Sequence, residues 1–362
     1  MNQQQVITEL QSRGLRLVND SVGASGRKGG AGPSDHKAVT VGDTTVMVPI
    51  FTDSAATSPF LVERDEKTGY SVLLKEKEQI APISFPTQPK FYELETAEGI
   101  PYWKIALLHS RNVLATTVLQ TCIRYDNRKT ACQFCAISQS LEAGRTIARK
   151  TPEQLAEVAE AAVSLDGVEH MIMTTGTPNV TDRGAAYLTD CAQAIRDRVN
   201  LPIQAQCEPP DDFTWFERMR SVGVDSLGMH LEAADPVVRA RIMPGKARVP
   251  LSYYYKAFEA AVKVFGRGQV STYLLAGLGD SKETLLEMCD RLIDLGVYPF
   301  VVPFVPIVGT PLAGQSPPDS TFMFELYQQI GRRLKLANLR SADMKAGCGK
   351  CGACSALSTF ET

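Results

Sequence analysis

Residues 113–135 read VLATTVLQTCIRYDNRKTACQFC, an apolar run followed at once by three cysteines, Cys122, Cys132 and Cys135. The run at 113–120 has the β-branched, apolar composition of a buried strand. Similar runs recur further along the chain, at residues 170–175, 201–206, 225–231, 269–277 and 299–306. Helical patterns lie between these runs, which predicts consecutive parallel βα units.

Six such units favour an α/β fold of the partial (βα)6, TIM-like barrel type over a sandwich. One of the intervening helices is predicted to begin after Thr151, which can cap it, with Pro152 at its first position. Active sites of such barrels lie at the carboxyl ends of the strands. We therefore expect the first three cysteines to lie at the active site.

The pattern divides the chain into three regions. Residues 1–110 are predicted to form an N-terminal α+β accessory region, residues 111–340 the barrel, and residues 341–362 a short, cysteine-rich C-terminal tail. The first region opens with a helical pattern over residues 2–17 and has a strand-like alternation at residues 41–50.

A glycine-rich segment, residues 23–37, lies between that helix and that strand. It lacks the full P-loop pattern and follows no clear strand, so a flexible cover is the simpler prediction. The alternative is an active-site role for its polar residues, Arg27, Lys28, Ser34, Asp35 and His36.

Charge and hydropathy exclude several classes of partner. With 38 basic and 40 acidic residues, the net charge of -2 gives no electrostatic reason to expect nucleic acid or a membrane surface. No apolar run approaches the roughly 20 residues that span a bilayer, and the first residues lack a signal-peptide core. We expect a cytoplasmic protein without a nucleic-acid or membrane partner.

Six of the nine cysteines fall in two trios, the first trio (Cys122, Cys132, Cys135) and the terminal trio (Cys348, Cys351, Cys354). In a reducing compartment, clustered cysteines bind metal more often than they form disulfides. Thiolates suit iron–sulfur clusters or zinc, but neither trio has an adjacent fourth cysteine or a histidine at a usual zinc spacing. The pattern favours two iron–sulfur centres, with zinc as the alternative.

The first trio, with Phe134 directly before its last cysteine, resembles the signature of the radical S-adenosylmethionine (SAM) superfamily. Its spacing is nine and two residues, where the usual signature has three and two. The resemblance extends over about residues 112–315 and is to the branch of biotin and lipoyl synthases. The chain is also similar to radical SAM proteins encoded beside nitrilases in bacteria.

This resemblance implies a set of SAM contacts and no catalytic acid or base. The second strand end is expected to bind the amino group, the fourth strand end the ribose, a downstream arginine the carboxylate, and the fifth strand segment the adenine. In chain order the implied contacts are Thr174, Thr175, Gly176, His230, Glu232, Arg241 or Arg248, and Gly277.

The resemblance also implies the cofactors and the reaction. The first trio is expected to hold a [4Fe-4S] cluster that cleaves SAM reductively to a 5′-deoxyadenosyl radical, with an electron from flavodoxin or ferredoxin. The terminal trio is expected to hold a second, auxiliary [4Fe-4S] cluster, with its fourth ligand left open between Ser355 and a distant residue. Sulfur insertion into an aliphatic, lipoyl-type substrate, small or bound to a carrier protein, is the leading expectation.

Two alternatives stay open at the level of sequence. One is radical C–H oxidation or rearrangement of a small amine or a nitrile-related metabolite. The other is a zinc-stabilised binding module without catalysis.

Overall fold

The computed structural model describes residues 1–17, 35–64 and 71–361, and its strands form two sheets. The first sheet has the order β1-β4-β5-β6-β2-β3, and its paired strands are antiparallel except for β1 and β4. Its strands are β1 (Arg16–Leu17), β2 (His36–Val41), β3 (Thr44–Pro49), β4 (Phe60–Arg64), β5 (Ser71–Lys75) and β6 (Glu78–Ser84).

The second sheet has the order β13-β12-β11-β10-β9-β8-β7, and β8 to β13 are all parallel. The antiparallel β7 lies at its edge. Its strands are β7 (Leu107–His109), β8 (Val113–Thr117), β9 (His170–Thr174), β10 (Ile203–Gln206), β11 (Val224–Gly228), β12 (Val270–Ala276) and β13 (Val297–Pro303). The six predicted strands are therefore confirmed, each within a few residues of its apolar run.

The helices lie before, between and after these strands. They are α1 (Gln3–Arg13), α2 (Asp53–Ala56), α3 (Tyr102–Ile105), α4 (Gln139–Glu142), α5 (Pro152–Asp166), α6 (Ala185–Arg198), α7 (Thr214–Ser221), α8 (Pro236–Ile242), α9 (Leu251–Phe265), α10 (Lys282–Asp294), α11 (Ser320–Leu336) and α12 (Cys348–Cys351). None of the helices in the described ranges is long and apolar enough to cross a membrane.

The parallel sheet curls into an open half-barrel. Residues of β8 and β9 at one end of the strand order and of β12 and β13 at the other line one common cavity. The two edge strands, β7 and β13, do not pair with each other. The partial barrel predicted from the six βα units is thus present, with the first sheet added at its N-terminal side.

Helix α5 shows how local sequence sets an element boundary. The Thr151 hydroxyl accepts a hydrogen bond from the Gln154 N–H at 3.2 Å, and the Gln154 side chain accepts one from the Thr151 N–H at 3.0 Å. This reciprocal capping, with Pro152 at the first helical position, satisfies two N–H groups that have no carbonyl partner within the helix.

The first helix is shorter than predicted, because α1 ends at Arg13 instead of running to residue 17. Gly14 has φ +74, and a Cβ there would lie 2.7 Å from both the Ala55 Cβ and the Pro49 carbonyl oxygen. Only glycine fits this turn, after which the chain enters β1. The glycine-rich segment at residues 23–37 lies largely outside the described residues, and only Asp35 to Lys37 can be placed.

The C-terminal tail is docked against both sheets. The Glu361 carboxylate accepts hydrogen bonds from the Tyr298 hydroxyl and from the N–H and hydroxyl of Ser341. The Ala353 carbonyl accepts hydrogen bonds from the Met47 N–H at 2.7 Å and from the Gln11 side chain at 3.0 Å. The tail therefore bridges the half-barrel and the first sheet.

Replacing Gly331 in α11 by alanine should destabilise this docking. The new Cβ would lie 2.2 Å from the Phe360 carbonyl oxygen, so backbone must move. Such overpacking costs about 1–3 kcal/mol, which exceeds the helix-propensity gain of about 1 kcal/mol. The urea midpoint of Gly331→Ala should fall, while that of Gly314→Ala, where a Cβ meets nothing within 4 Å, should not. Equal midpoints would show that the tail is not packed here.

Candidate active site

The first trio lies in the loop that follows β8. The Cys135 N–H donates to the Cys132 carbonyl at 3.1 Å, and the Tyr125 N–H donates to the Cys122 carbonyl at 2.9 Å, so each end of the loop is a tight turn. Burial, with a smaller contribution from the neighbouring Cys122, raises the pKa of the Cys135 thiol to about 11. Burial also raises the pKa of the Cys132 thiol, and both other cysteines of the trio contribute in the same direction. Each of the three thiols therefore lies within electrostatic range of the other two.

A buried ion pair closes the long segment between the first two cysteines. The Arg124 Nε and Nη2 atoms each donate to one Glu208 carboxylate oxygen at 2.6 Å, and Nη1 donates to the Gly245 carbonyl at 2.6 Å. Thr177 donates to the same carboxylate at 2.6 Å. Burial favours the neutral form of Glu208, but these partners outweigh it and lower its pKa. Arg124 is thereby fixed to the residues that follow β10.

Backbone contacts hold the rest of the loop. The Thr130 hydroxyl donates to the Arg124 carbonyl at 2.9 Å, and the Thr130 carbonyl accepts from the Gly245 N–H at 3.0 Å. The Gln133 N–H donates to the Ile242 carbonyl at 2.8 Å. The nine residues between Cys122 and Cys132 therefore fold back against α8 and the segment after it. This explains how an extended spacing still brings three thiols to one place.

One cavity of about 390 Å³ connects the two trios. Cys135 lines it at the carboxyl ends of the strands, and Cys348 and Cys354 line it on the other side. Cys348 and Cys351 pack on Val113 and Ala115 of β8 and on Ile172 in the middle of β9. The wall between is mostly apolar, which excludes water from the space between the thiols.

Five of the predicted SAM contacts line this cavity: Thr174, Thr175, Gly176, His230 and Glu232. A Cβ at Gly176 would lie 2.0 Å from the Thr121 carbonyl oxygen, so the close approach of these two backbone segments requires glycine there. Glu232 has φ +66, an unusual value for a non-glycine residue, and its backbone bridges to β12. Burial lowers the pKa of His230 to about 4, so the ring is neutral near pH 7.

The other three predicted contacts do not line the cavity. Arg241 and Arg248 are exposed, and Arg241 donates to the Leu278 carbonyl at 3.1 Å. Gly277 has φ +106 and accepts a hydrogen bond from the Gln315 side chain. The structure thus separates these residues from the group around Thr174 and His230.

Lys246 is a cation that sequence reasoning missed. Its Nζ donates to the Glu232 carboxylate at 3.0 Å, and the side chains of both residues are largely buried. Burial alone would lower the pKa of Lys246, but Glu232 and neighbouring groups outweigh it and raise the pKa, so the lysine is charged. The positive charge of Lys246 also acts to lower the pKa of the Cys132 thiol. Lys246 is therefore a buried cation close to the first trio.

The terminal trio lies on and just after α12. The Cys348 thiol accepts a hydrogen bond from the Gln206 side chain at 3.1 Å, and Tyr273 lies beside the same thiol. The Cys354 thiol is 3.5 Å from His109 Nε2. Burial, with a smaller contribution from the neighbouring Cys348, raises the pKa of the Cys351 thiol to about 12.

In the described part of the chain, no three His, Cys, Asp or Glu side chains are grouped as the ligands of a single metal ion. A four-iron cluster takes its protein ligands on separate irons, so its thiolates need not surround one point. Each trio supplies three neighbouring thiols and no carboxylate, which is the ligand chemistry of such a cluster. The residues present therefore fit an iron–sulfur centre at each end of the cavity.

The residues that sequence reasoning missed are joined by long-range contacts. Arg124 and Glu208 are 84 residues apart, and no local pattern links them. The one available signal was that Glu208 lies two residues after the end of a predicted strand, at the edge of the sheet where sites form. Lys246 had a weaker signal, as a basic residue between the two arginines that were considered.

Replacing Glu208 by glutamine should open the first-trio loop. Arg124 would stay buried without a counter-charge, and breaking a buried pair costs about 3–5 kcal/mol. We expect a lower urea midpoint and faster trypsin cleavage after Arg128 and Lys129. The control is Glu325→Gln, which breaks an exposed pair with Lys282 and should change neither measurement. Indistinguishable variants would show that the Arg124 pair does not hold the loop.

Comparisons with known proteins agree with this geometry. The model of the radical SAM superfamily matches residues 127–292, from the first-trio loop to α10. The chain is 30% identical over 226 residues to the bacteriochlorophyllide c C-7(1)-hydroxylase of Chlorobaculum limnaeum, covering 57% of this chain and 56% of that protein. It is 26% identical over 171 residues to the lipoyl synthase of Marinobacter nauticus, covering 46% of this chain and 47% of that protein.

The chain thus spans about half the length of the curated relatives it matches. Among solved structures, methylornithine synthase is similar with a TM-score of 0.48 and 18% identity, covering 73% of this chain and 79% of that chain. The stretch that matches the radical SAM superfamily model, residues 127–292, contains Cys132, Cys135 and the cavity-lining ends of β9 to β11.

Proposed function

We propose that this protein is a radical SAM enzyme that oxidises an unactivated C–H bond of a small substrate held between two iron–sulfur centres. The observation that carries the proposal is the single cavity lined by Cys135 on one side and by Cys348 and Cys354 on the other. The superfamily match supports the SAM chemistry, and the similarity to a hydroxylase supports oxidation.

The first trio is proposed to hold the SAM-binding [4Fe-4S] cluster. Such a cluster, with SAM bound and one electron supplied by a flavodoxin or ferredoxin, provides a 5′-deoxyadenosyl radical that removes hydrogen from carbon. The residues of this chain orient SAM and the substrate and shield them from water. Thr174 and Gly176 form the wall beside Cys135, and neutral His230 can exchange hydrogen bonds without adding charge. The Glu232–Lys246 pair supplies one anion and one cation for the polar ends of SAM.

The cavity favours a small substrate over a large one. An engineered cavity of about 150 Å³ holds one benzene molecule, so 390 Å³ is limited space for SAM and substrate together. The mostly apolar wall suits an aliphatic carbon skeleton, and the few polar groups can fix its orientation. We therefore propose a small metabolite, such as an amine or nitrile-related compound, as the substrate class.

The overall balance of a hydroxylation follows from its reactants. One SAM, one water and R–H yield methionine, 5′-deoxyadenosine, R–OH and one proton. Because the reduction of SAM by two electrons matches the oxidation of R–H by two electrons, no external oxidant is consumed. Oxygen in the product then comes from water.

Sulfur insertion is the second candidate. The similarity to lipoyl synthase supports it, as does the position of the terminal trio at the cavity wall, where cluster sulfide can meet a substrate. The lipoyl synthase match covers less of this chain at lower identity than the hydroxylase match, which is why we favour oxidation. A zinc-stabilised module without catalysis is disfavoured by the superfamily match.

Anaerobic reconstitution should give a brown protein with about eight irons, as two four-iron cubes require. With dithionite and SAM it should release 5′-deoxyadenosine, and replacing Cys122, Cys132 and Cys135 by alanine should abolish that release. Replacing the terminal trio should leave uncoupled release in place, because the cleaving cluster is intact. Equal loss in both variants would contradict the division of roles.

The two reaction types are separated by mass spectrometry. With a panel of small aliphatic amines and nitriles in H₂¹⁸O, oxidation predicts a product that carries one ¹⁸O. With an octanoyl-lysine peptide, sulfur insertion predicts a sulfur-containing product and loss of cluster sulfide. A sulfur product without any ¹⁸O product would overturn the oxidation proposal.

A further inference from the structure

The chain has four histidines, and all of them lie at the cavity or at the docked tail. His36, His109 and His230 line the cavity, and His170 accepts a hydrogen bond from the Gly347 N–H at 3.3 Å. An imidazole is a metal ligand as well as a hydrogen-bonding group. His109 contacts a cysteine of the terminal trio, and His170 contacts the residue directly before the trio, so both rings are candidates to act with it.

His109 is the ring that meets a terminal thiol. It is the last residue of the edge strand β7 and is buried, and its Nε2 lies 3.5 Å from the Cys354 sulfur. The next residue, Ser110, lies beside the Cys351 thiol. The end of β7 therefore faces two of the three terminal cysteines.

The third thiol has a different environment. Gln206 donates to Cys348 at 3.1 Å, and its amide is oriented by a second bond to the Gln204 side chain at 2.7 Å. The Cys348 N–H donates to the same Gln204 oxygen at 3.1 Å. The Cys348 sulfur is thus contacted by a hydrogen-bond donor. The imidazole lies beside the Cys354 sulfur instead.

Ser355, the local candidate for a fourth ligand, is used elsewhere. Its hydroxyl donates to the Val301 carbonyl at 2.5 Å and accepts from the Leu357 N–H at 3.2 Å. These bonds hold the turn after the trio against β13. A ligand role would break both of them in a buried place, at the cost of unsatisfied backbone groups.

We infer that His109 is the fourth protein ligand of an iron–sulfur cluster held by Cys348, Cys351 and Cys354. The inference rests on the auxiliary centre of the proposed function and adds the ligand that completes it. Imidazole replaces thiolate as an iron ligand in known cluster types. With four protein ligands, no iron of this centre is left to bind a substrate, so the centre serves electron transfer and not substrate binding.

Three cysteines and one histidine are also a usual structural zinc set. The experiment therefore includes metal analysis as well as a direct probe of the nitrogen ligand. It uses the full chain with Cys122, Cys132 and Cys135 replaced by alanine, so that only the terminal centre can be loaded. One sample carries ¹⁵N-histidine and the other natural histidine, and both are reconstituted anaerobically with iron and sulfide.

We expect about four irons per chain, no zinc, and a nitrogen hyperfine coupling in pulsed EPR of the reduced cluster that changes with the histidine isotope. The coupling should vanish in His109→Cys, which keeps a ligand and should keep the iron. The matched control His36→Gln should retain it. If circular dichroism shows that His109→Cys does not fold, His109→Gln is used instead. The nitrogen coupling should be lost in that variant as well.

Several outcomes overturn the inference: a loaded cluster without histidine coupling, a coupling that persists without His109, a zinc-loaded protein, or a folded protein that loads no metal. The proposed function is tested separately, by measuring 5′-deoxyadenosine release from the chain with its first trio intact. Release that persists in His109→Cys while the coupling is absent from the native centre would reject the ligand and leave the SAM chemistry standing.

Discussion

The parallel strands β8 to β13 begin together at one side and end together at the other, and this constraint organises the whole site. A loop that follows β8 must lie at the carboxyl ends, and the docked tail packs against Val113 of β8 and Ile172 of β9. Cysteines of both trios, more than two hundred residues apart in sequence, therefore line the same cavity. Their separation is set by the sheet, not by either cysteine motif.

Buried charges make this arrangement specific. Arg124 with Glu208, and Lys246 with Glu232, are neutralised pairs in a mostly apolar setting. Such pairs contribute little net stability compared with apolar side chains, but removal of one partner is costly. They hold the first-trio loop and the cavity wall in one geometry, which is what a site that must exclude water requires.

The sequence predicted the elements and the groups of ligands better than their connections. The six strands follow from apolar runs, and α5 from the Thr151 cap, because these signals are local. The cavity-lining positions at Thr174, His230 and Glu232 follow from strand ends. By contrast, the first sheet was predicted only as mixed structure, and Arg124–Glu208, Lys246 and His109 depend on contacts across the fold that no spacing encodes. Arg241 and Arg248 were chosen by residue type, although both side chains are exposed.

We propose that one cavity holds two iron–sulfur centres, one at each cysteine trio. The most direct measurement is a crystal structure of the anaerobically reconstituted protein with diffraction data collected at the iron absorption edge. We expect two separate iron peaks, one beside Cys135 and one beside Cys354, at opposite sides of the same cavity. Iron at the first trio alone, or two peaks that do not share a cavity, would contradict it.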